Sequence, residues 1–139
     1  MKAILLAAGS GMRLGDLTKE TPKALVDING KTLLERQIIA LQKNNINDII
    51  VVTGPNNDKF DIKDITCIHD SNYLEHDVLG TMMSASEYMN SDVIISYTDI
   101  VFDEKIIHSI KNTNTIILTF PKGIKRYPIY QLQAFMTTS

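Results

Sequence analysis

A chain of 139 residues with 44% hydrophobic and 22% charged residues has the size and balance of one soluble globular domain, short for an enzyme holding two substrates. Its net charge of −2 leaves no face-wide basic excess and argues against non-specific nucleic-acid binding. The single cysteine, Cys67, excludes an internal disulfide and fits a reducing cytoplasm, while the short apolar run at the N-terminus reads as neither a signal peptide nor a membrane span.

Lys2 to Ala7 predicts a first strand that runs straight into the glycine loop Ala8-Gly9-Ser10-Gly11-Met12-Arg13-Leu14-Gly15. Glycines let backbone N–H groups close on phosphate oxygens, and Arg13 and Lys23 add positive charge, so the segment reads as a phosphate cradle. Two better-known phosphate loops do not fit. Gly30-Lys31-Thr32 has the ending of a P-loop, but Leu25 stands where its first glycine belongs. In a dinucleotide fingerprint the third glycine falls where Leu14 stands, and Gly15 arrives one residue late.

Downstream, Ala24 to Ile28 reads as a second short strand before an Asn29-Gly30 turn. Thr32 to Lys43 predicts a helix with Leu33, Leu34, Gln37, Ile38 and Leu41 on a repeating face and Asn44-Asn45 as its stop. Asp48 to Thr53 is a buried strand ended by Gly54-Pro55, and residues 56–64 are a polar loop with one helical turn. Thr66 to His69 is a short strand with Cys67 in the core. Thr81 to Met89 predicts a helix with Met82, Ala85 and Met89 on one side, and Asp92 to Tyr97 another strand. A helix follows from Asp103, its cap, to Lys111, and Thr115 to Phe120 is a last strand. This alternation predicts an α/β fold, a three-layer α/β/α sandwich around a mostly parallel, Rossmann-like sheet. Residues 1–120 read as the domain, and 121–139, with the basic patch Lys122, Lys125 and Arg126, as a divergent or truncated tail.

Leu6 to Leu14, followed by Pro22-Lys23-Ala24-Leu25, resembles the signature of the nucleotidyltransferases that activate sugars and alcohols. These are the sugar-1-phosphate and phosphocholine-type transferases of the MobA-like NTP transferase kind, here in their N-terminal portion. Ser96 to Phe102 resembles that family's strand-end aspartate, and Leu79-Gly80-Thr81 its base-site turn. The wording around Leu79 to Ser84 and Tyr97 to Phe102 is similar to members that activate phosphonates or aminoalkyl phosphates.

The resemblance implies a fold of the nucleotide-diphospho-sugar transferase type and a reaction to go with it. A phosphate or phosphonate oxygen of a small acceptor (a sugar 1-phosphate, phosphocholine or a phosphonate) attacks the α-phosphorus of an NTP, with CTP or another pyrimidine nucleotide favoured. Pyrophosphate leaves in line, and positioning with charge neutralisation does the work of a nucleophile. By the same resemblance Leu6, Ala7, Ala8, Gly9, Ser10, Gly11 and Met12 hold the nucleotide, and Arg13 neutralises the β- and γ-phosphates. Lys23 sits at the α-phosphate or the incoming phosphate, Gly80 and Thr81 border base and ribose, and Asp99 binds Mg²⁺. Asn72 and Tyr73 are candidates for the acceptor pocket. Gly80 also reads as no more than the turn before a helix that Thr81 helps start. His76-Asp77, in a loop before Gly80, is either a pair near the ligand or, as such pairs more often are, a surface pair, and Cys67-x-His69 is too sparse for zinc.

The chain departs from that family in one respect. Its members commonly carry a second metal-binding aspartate in a C-terminal half, and here no Asp or Glu follows Glu104. The expected partners are an NTP and a small phosphorylated acceptor, with no nucleic acid and no membrane; the tail could be a homodimer contact that completes the sheet. The alternative is a truncated, catalytically impaired nucleotide-binding or regulatory domain.

Overall fold

The fold, a computed structural model, describes residues 1–9, 11, 15, 16, 18 and 20–111. Within them four strands, β1 (Lys2–Ala7), β2 (Ile49–Thr53), β3 (Thr66–His69) and β4 (Val93–Tyr97), form one sheet in the order β3-β2-β1-β4. Every pairing is parallel, with Leu5 opposite Val51 on one side and Ser96 on the other. The helices are α1 (Leu33–Gln42), α2 (Val78–Met83) and α3 (Glu104–Lys111), with short 3₁₀ turns at Lys23–Leu25, Asn57–Lys59 and Ser86–Tyr88.

The central strands are continuous apolar runs because both of their faces are covered. Ala3, Leu5 and Ala7 of β1 pack with Leu34, Ile38 and Leu41 of α1 and Ile107 of α3. Ile4 and Leu6 face the other way, onto Ala85, Met82, Tyr88 and Met89. That division makes the three layers. Helix α1 begins with a capping box: Glu35 N–H donates to Thr32 Oγ1 at 3.1 Å, and Thr32 N–H donates to Glu35 Oε2 at 2.7 Å. The Thr32 hydrogen bonds, the backbone one first, hold the Glu35 carboxyl below its ordinary range.

From β1 the chain steps outward to β2 and β3, then returns to place β4 on the far side of β1. The direction of winding therefore reverses between β1 and β4. Ligands of open α/β sheets bind in the crevice outside the carboxyl ends of the strands at such a switch point.

Three expectations need correction. Ala24 to Ile28 is not a strand: Leu25 N–H donates to the Pro22 carbonyl at 2.8 Å, winding Lys23–Leu25 into a 3₁₀ turn. Among the described residues no strand meets Ile28, which is exposed; an isolated bridge joins Asp27 to Thr32, across a turn in which Asn29 and Gly30 both have positive φ. The helix read as Thr81 to Met89 instead starts at Val78, because Asp77 caps it by accepting from Gly80 N–H at 2.9 Å, and it ends at Met83 before a 3₁₀ turn. Gly80 therefore lies inside the helix and is not the turn before it. Cys67 is exposed, not core, because β3 is an edge strand whose residues are mostly exposed. Asp103 does cap α3, accepting from Lys105 N–H at 2.8 Å. The strand expected at Thr115 to Phe120 and the tail 121–139 lie outside the described residues. No helix among the described residues is long and apolar enough to cross a membrane.

Candidate functional site

Parallel pairing delivers the carboxyl ends of all four strands to one edge, and most of the polar residues of interest follow those ends. β1 hands over to Ala8 and Gly9. Leu6, Ala7 and Ala8 are buried, so they can offer a ligand their main chain and little else. Gly9 is exposed. Gly11 has φ +67°, a conformation side chains rarely adopt, and its missing side chain makes room for Thr18, whose hydroxyl donates to the Gly11 carbonyl at 2.8 Å. Ser10, Met12 and Arg13, three of the expected nucleotide contacts, lie outside the described residues.

β2 ends in Thr53, and Gly54 follows it. A Cβ on Gly54 would stand 2.4 Å from the Ala8 carbonyl oxygen, so the chain beyond β2 passes directly against the root of the glycine loop. This glycine reads in the sequence only as a strand terminator. Its tertiary role is to let two strand ends touch.

Lys23 and Asp99 come together. Lys23 Nζ donates to Asp99 Oδ2 at 2.8 Å across 76 residues of sequence, with the two side chains 36% and 35% exposed. The Lys23–Leu25 turn therefore brings a cation to the loop after β4, at the switch point. An ion pair this open contributes only ~0–1 kcal/mol, so a phosphate or a metal ion can replace either partner at small cost.

The Asp99 loop is held on both flanks. Thr98 N–H and Oγ1 donate to the Leu6 carbonyl at 3.3 and 3.0 Å. Gln37, 1% exposed on α1, donates its amide to the carbonyls of Tyr97 and Ile100 at 2.7 and 2.5 Å. Burial, with the Asp99 charge adding to it, raises the Tyr97 phenol above its ordinary value.

A second cluster lies past β3. Asp70, 2% exposed, accepts from Asn72 N–H at 3.1 Å and from His76 Nδ1 at 3.0 Å. Burial pushes its carboxyl up, but the hydrogen bonds from His76, Asn72 and Thr81 outweigh burial and hold it below the ordinary value. An ionised carboxylate only accepts, so Nδ1 carries the proton. Gly80 leans on the same histidine: a Cβ there would lie 2.7 Å from His76 Cγ. Gly80 and Thr81, singled out in the sequence for a base site, are thus locked to His76, which the sequence grouped with Asp77, and to Asp70, which it did not single out. His76 pairs with Asp70 rather than standing with Asp77 on the surface. A polar residue just beyond a parallel strand, as at Asp99, is the signal that marks Asp70. Asn72 is exposed and Tyr73 partly buried in the adjoining turn.

Among the described residues, no group of three or more His, Cys, Asp or Glu side chains could hold a metal by itself. Asp99 offers one hard oxygen donor at the switch point. That suits a cation which takes most of its ligands from phosphate and water, as Mg²⁺ does, and does not suit zinc.

Comparison with known proteins points the same way. A family model described as the MobA-like NTP transferase domain matches residues 3–128. The chain is similar to a choline-phosphate cytidylyltransferase of Haemophilus influenzae, 36% identical over 110 residues that cover 76% of this chain and 47% of the relative. It is also similar to a CTP:phosphoglutamine cytidylyltransferase of Campylobacter jejuni, 36% identical over 125 residues, covering 81% of this chain and 49% of the relative. Among solved structures, a CTP:phosphocholine cytidylyltransferase of Streptococcus pneumoniae superposes with a TM-score of 0.68 at 33% identity, over 75% of this chain and 49% of that one. The chain spans about half the length of these proteins.

Proposed function

We propose, from the premise that this chain belongs to the MobA-like NTP transferase domain family, that it transfers a nucleotidyl group from an NTP to a small phosphorylated acceptor and releases pyrophosphate. The observation that carries the proposal is the Lys23–Asp99 pair, a cation and a carboxylate held 2.8 Å apart at the switch point, with Asp99 on a loop that Thr98 ties to the Leu6 carbonyl of β1. The Haemophilus influenzae and Campylobacter jejuni relatives both carry cytidylyl in their names, which favours CTP as the donor. The acceptor class proposed is a phosphorylated amino alcohol, amino acid amide or phosphonate, with sugar 1-phosphates as the wider set.

In this reading the main chain of Ala8, Gly9 and Gly11 approaches the triphosphate, and Arg13 neutralises its β- and γ-phosphates. Lys23 exchanges its contact with Asp99 for an oxygen on the α-phosphate, where charge develops as the acceptor attacks. Gly80 and Thr81 border base and ribose, braced from behind by His76 and Asp70. Asp99 would hold Mg²⁺ with help from phosphate oxygens and water; the ion would offset triphosphate charge and orient the leaving pyrophosphate. The acceptor's phosphate is already ionised near neutrality, so the chemistry asks no protein base for a proton.

A pyrophosphate-release assay tests this across four NTPs and a panel of acceptors with Mg²⁺ present. The expected result is acceptor-dependent release, fastest with CTP. Tight CTP binding with no release from any acceptor would support the second reading, a nucleotide-binding domain without turnover.

A further inference from the structure

We infer that Gln37 of α1 is a positioning residue for the Asp99 carboxylate. It fixes the main chain on both sides of the aspartate while standing away from the ligand. The inference rests on the nucleotidyl-transfer reading, in which Asp99 meets the metal–nucleotide.

Gln37 is 1% exposed and lies on the face of α1 that also buries Leu34, Ile38 and Leu41. An apolar residue would suit that face. Instead Gln37 Nε2 donates to the carbonyls of Tyr97 and Ile100, which bracket Thr98 and Asp99. Both partners only accept, so the amide nitrogen must face them, and no flip of the side chain satisfies the pair. Its Oε1 is then left buried with no donor among the described residues. Buried polar atoms are nearly always paired, so this orphan marks a position where the two anchoring bonds matter more than a fully satisfied core.

The anchoring has a geometric consequence. Thr98 ties the loop to β1 through two bonds to the Leu6 carbonyl, and Gln37 ties it to α1 through the residues on either side. The Cα of Asp99 is thereby held from two layers of the fold, and only its side-chain torsions remain free to move between Lys23 and a metal. Losing the Gln37 amide releases two carbonyls and loosens that Cα. Removing a group that orients a metal ligand lowers metal affinity by ~10–100-fold.

The test uses the full chain, ¹⁵N-labelled, with Gln37→Met, which keeps length and volume but removes both donors. Amide hydrogen exchange at Thr98, whose N–H donates to the Leu6 carbonyl, is read beside Mn²⁺ affinity in the presence of CTP, measured by electron paramagnetic resonance. Exchange at Thr98 should speed up ~10-fold while exchange in the middle of β1 is unchanged, and Mn²⁺ affinity should fall ~10–100-fold. Asp99→Asn should lose Mn²⁺ affinity yet leave Thr98 exchange at the wild-type rate. Gln37→Glu is the second variant and covers a failure of the methionine variant to fold. Burial against two carbonyl oxygens pushes its carboxyl above the ordinary range, and it donates only when protonated, so its Mn²⁺ affinity relative to the wild type should drop from about pH 5 to about pH 8. Wild-type Mn²⁺ affinity in the methionine variant despite a loosened loop, or an affinity ratio for the glutamate variant that is flat with pH, would overturn the inference and leave the transfer reading standing. Indifference of Mn²⁺–CTP affinity to Asp99→Asn would overturn the reading and this inference together.

Discussion

Replacing Gly54 with alanine puts a methyl group 2.4 Å from the Ala8 carbonyl oxygen and 2.9 Å from both its carbonyl carbon and its Cα. These are main-chain atoms at the end of a strand hydrogen-bonded to neighbours on both sides, so no side-chain rotation relieves the contact. The carboxyl ends of β1 and β2 must separate instead. Overpacking of this kind costs ~1–3 kcal/mol, and a contact with backbone belongs at the upper end. For a chain of this length a loss of about 3 kcal/mol lowers Tm by roughly 10 °C. Circular dichroism melts of Gly54→Ala measure this directly, with Gly9→Ala as the control. A Cβ at Gly9 meets nothing within 4 Å and its φ is not left-handed, so its Tm should stay within about 2 °C of wild type. Calorimetric CTP titrations should separate the two positions in the other direction, because a methyl group at Gly9 stands where the loop is expected to approach phosphate. A Gly54→Ala melt within about 2 °C of wild type would refute the close approach of the strand ends, since ~0.5 kcal/mol cannot cover such a contact.

Lys23→Ala and Asp99→Asn should each change stability by less than about 1 kcal/mol, because the pair is open to solvent. Turnover in the pyrophosphate assay should fall by ~10²-fold or more, and wild-type rates in both variants would unseat the assigned roles. Asp70 titrates below its ordinary value in the fold, so it contributes stability that is present above about pH 4 and lost as pH falls through the lowered value. Asp70→Asn should therefore flatten the acid limb of a Tm-against-pH curve, and an unchanged slope would assign that limb to other carboxylates such as Glu35. Gly80→Ala drives a methyl group into the His76 ring, which Asp70 prevents from swinging away. It should cost ~1–3 kcal/mol in the wild type and clearly less in a His76→Ala background; strictly additive losses would show that the ring is not the obstacle.

Much of the sheet was legible because a strand buried on both faces must be apolar throughout. β1 and β2 therefore stood out, as did α1 by its repeating apolar face and α3 by its Asp103 cap, while the Thr32–Glu35 box went unread. The misreadings share a cause, which is that neighbours decide what a short segment becomes. Val26 and Ile28 alternate like a strand, yet no strand among the described residues pairs with them, and Pro22 turns the chain into a 3₁₀ turn. Gly80 resembles a turn residue because its requirement is a contact with His76 that only the fold creates. Cys67 looked like core because nothing local says that β3 is the edge.

At the site, Lys23 and Asp99 could each be singled out from motif context, while their pairing across 76 residues could not. Gln37, Gly54 and Asp70 were passed over for the same reason, and His76 was paired with Asp77 instead of Asp70. Each acts through a main-chain or side-chain partner far along the chain, and residue type alone does not announce such a partner.

The central claim is that an NTP occupies the edge between the glycine loop and Asp99. Adding CTP and Mg²⁺ to ¹⁵N-labelled protein and mapping amide shifts tests it without requiring turnover. The account predicts shifts concentrated at Ala8, Gly9, Gly11, Lys23, Gly80, Thr81 and Asp99. An open cleft along the flank of α1, lined by Lys31, Arg36, Lys43, Asp103 and Glu104, is the obvious competitor. Shifts confined to that cleft, with the strand-end residues unmoved, would contradict the account.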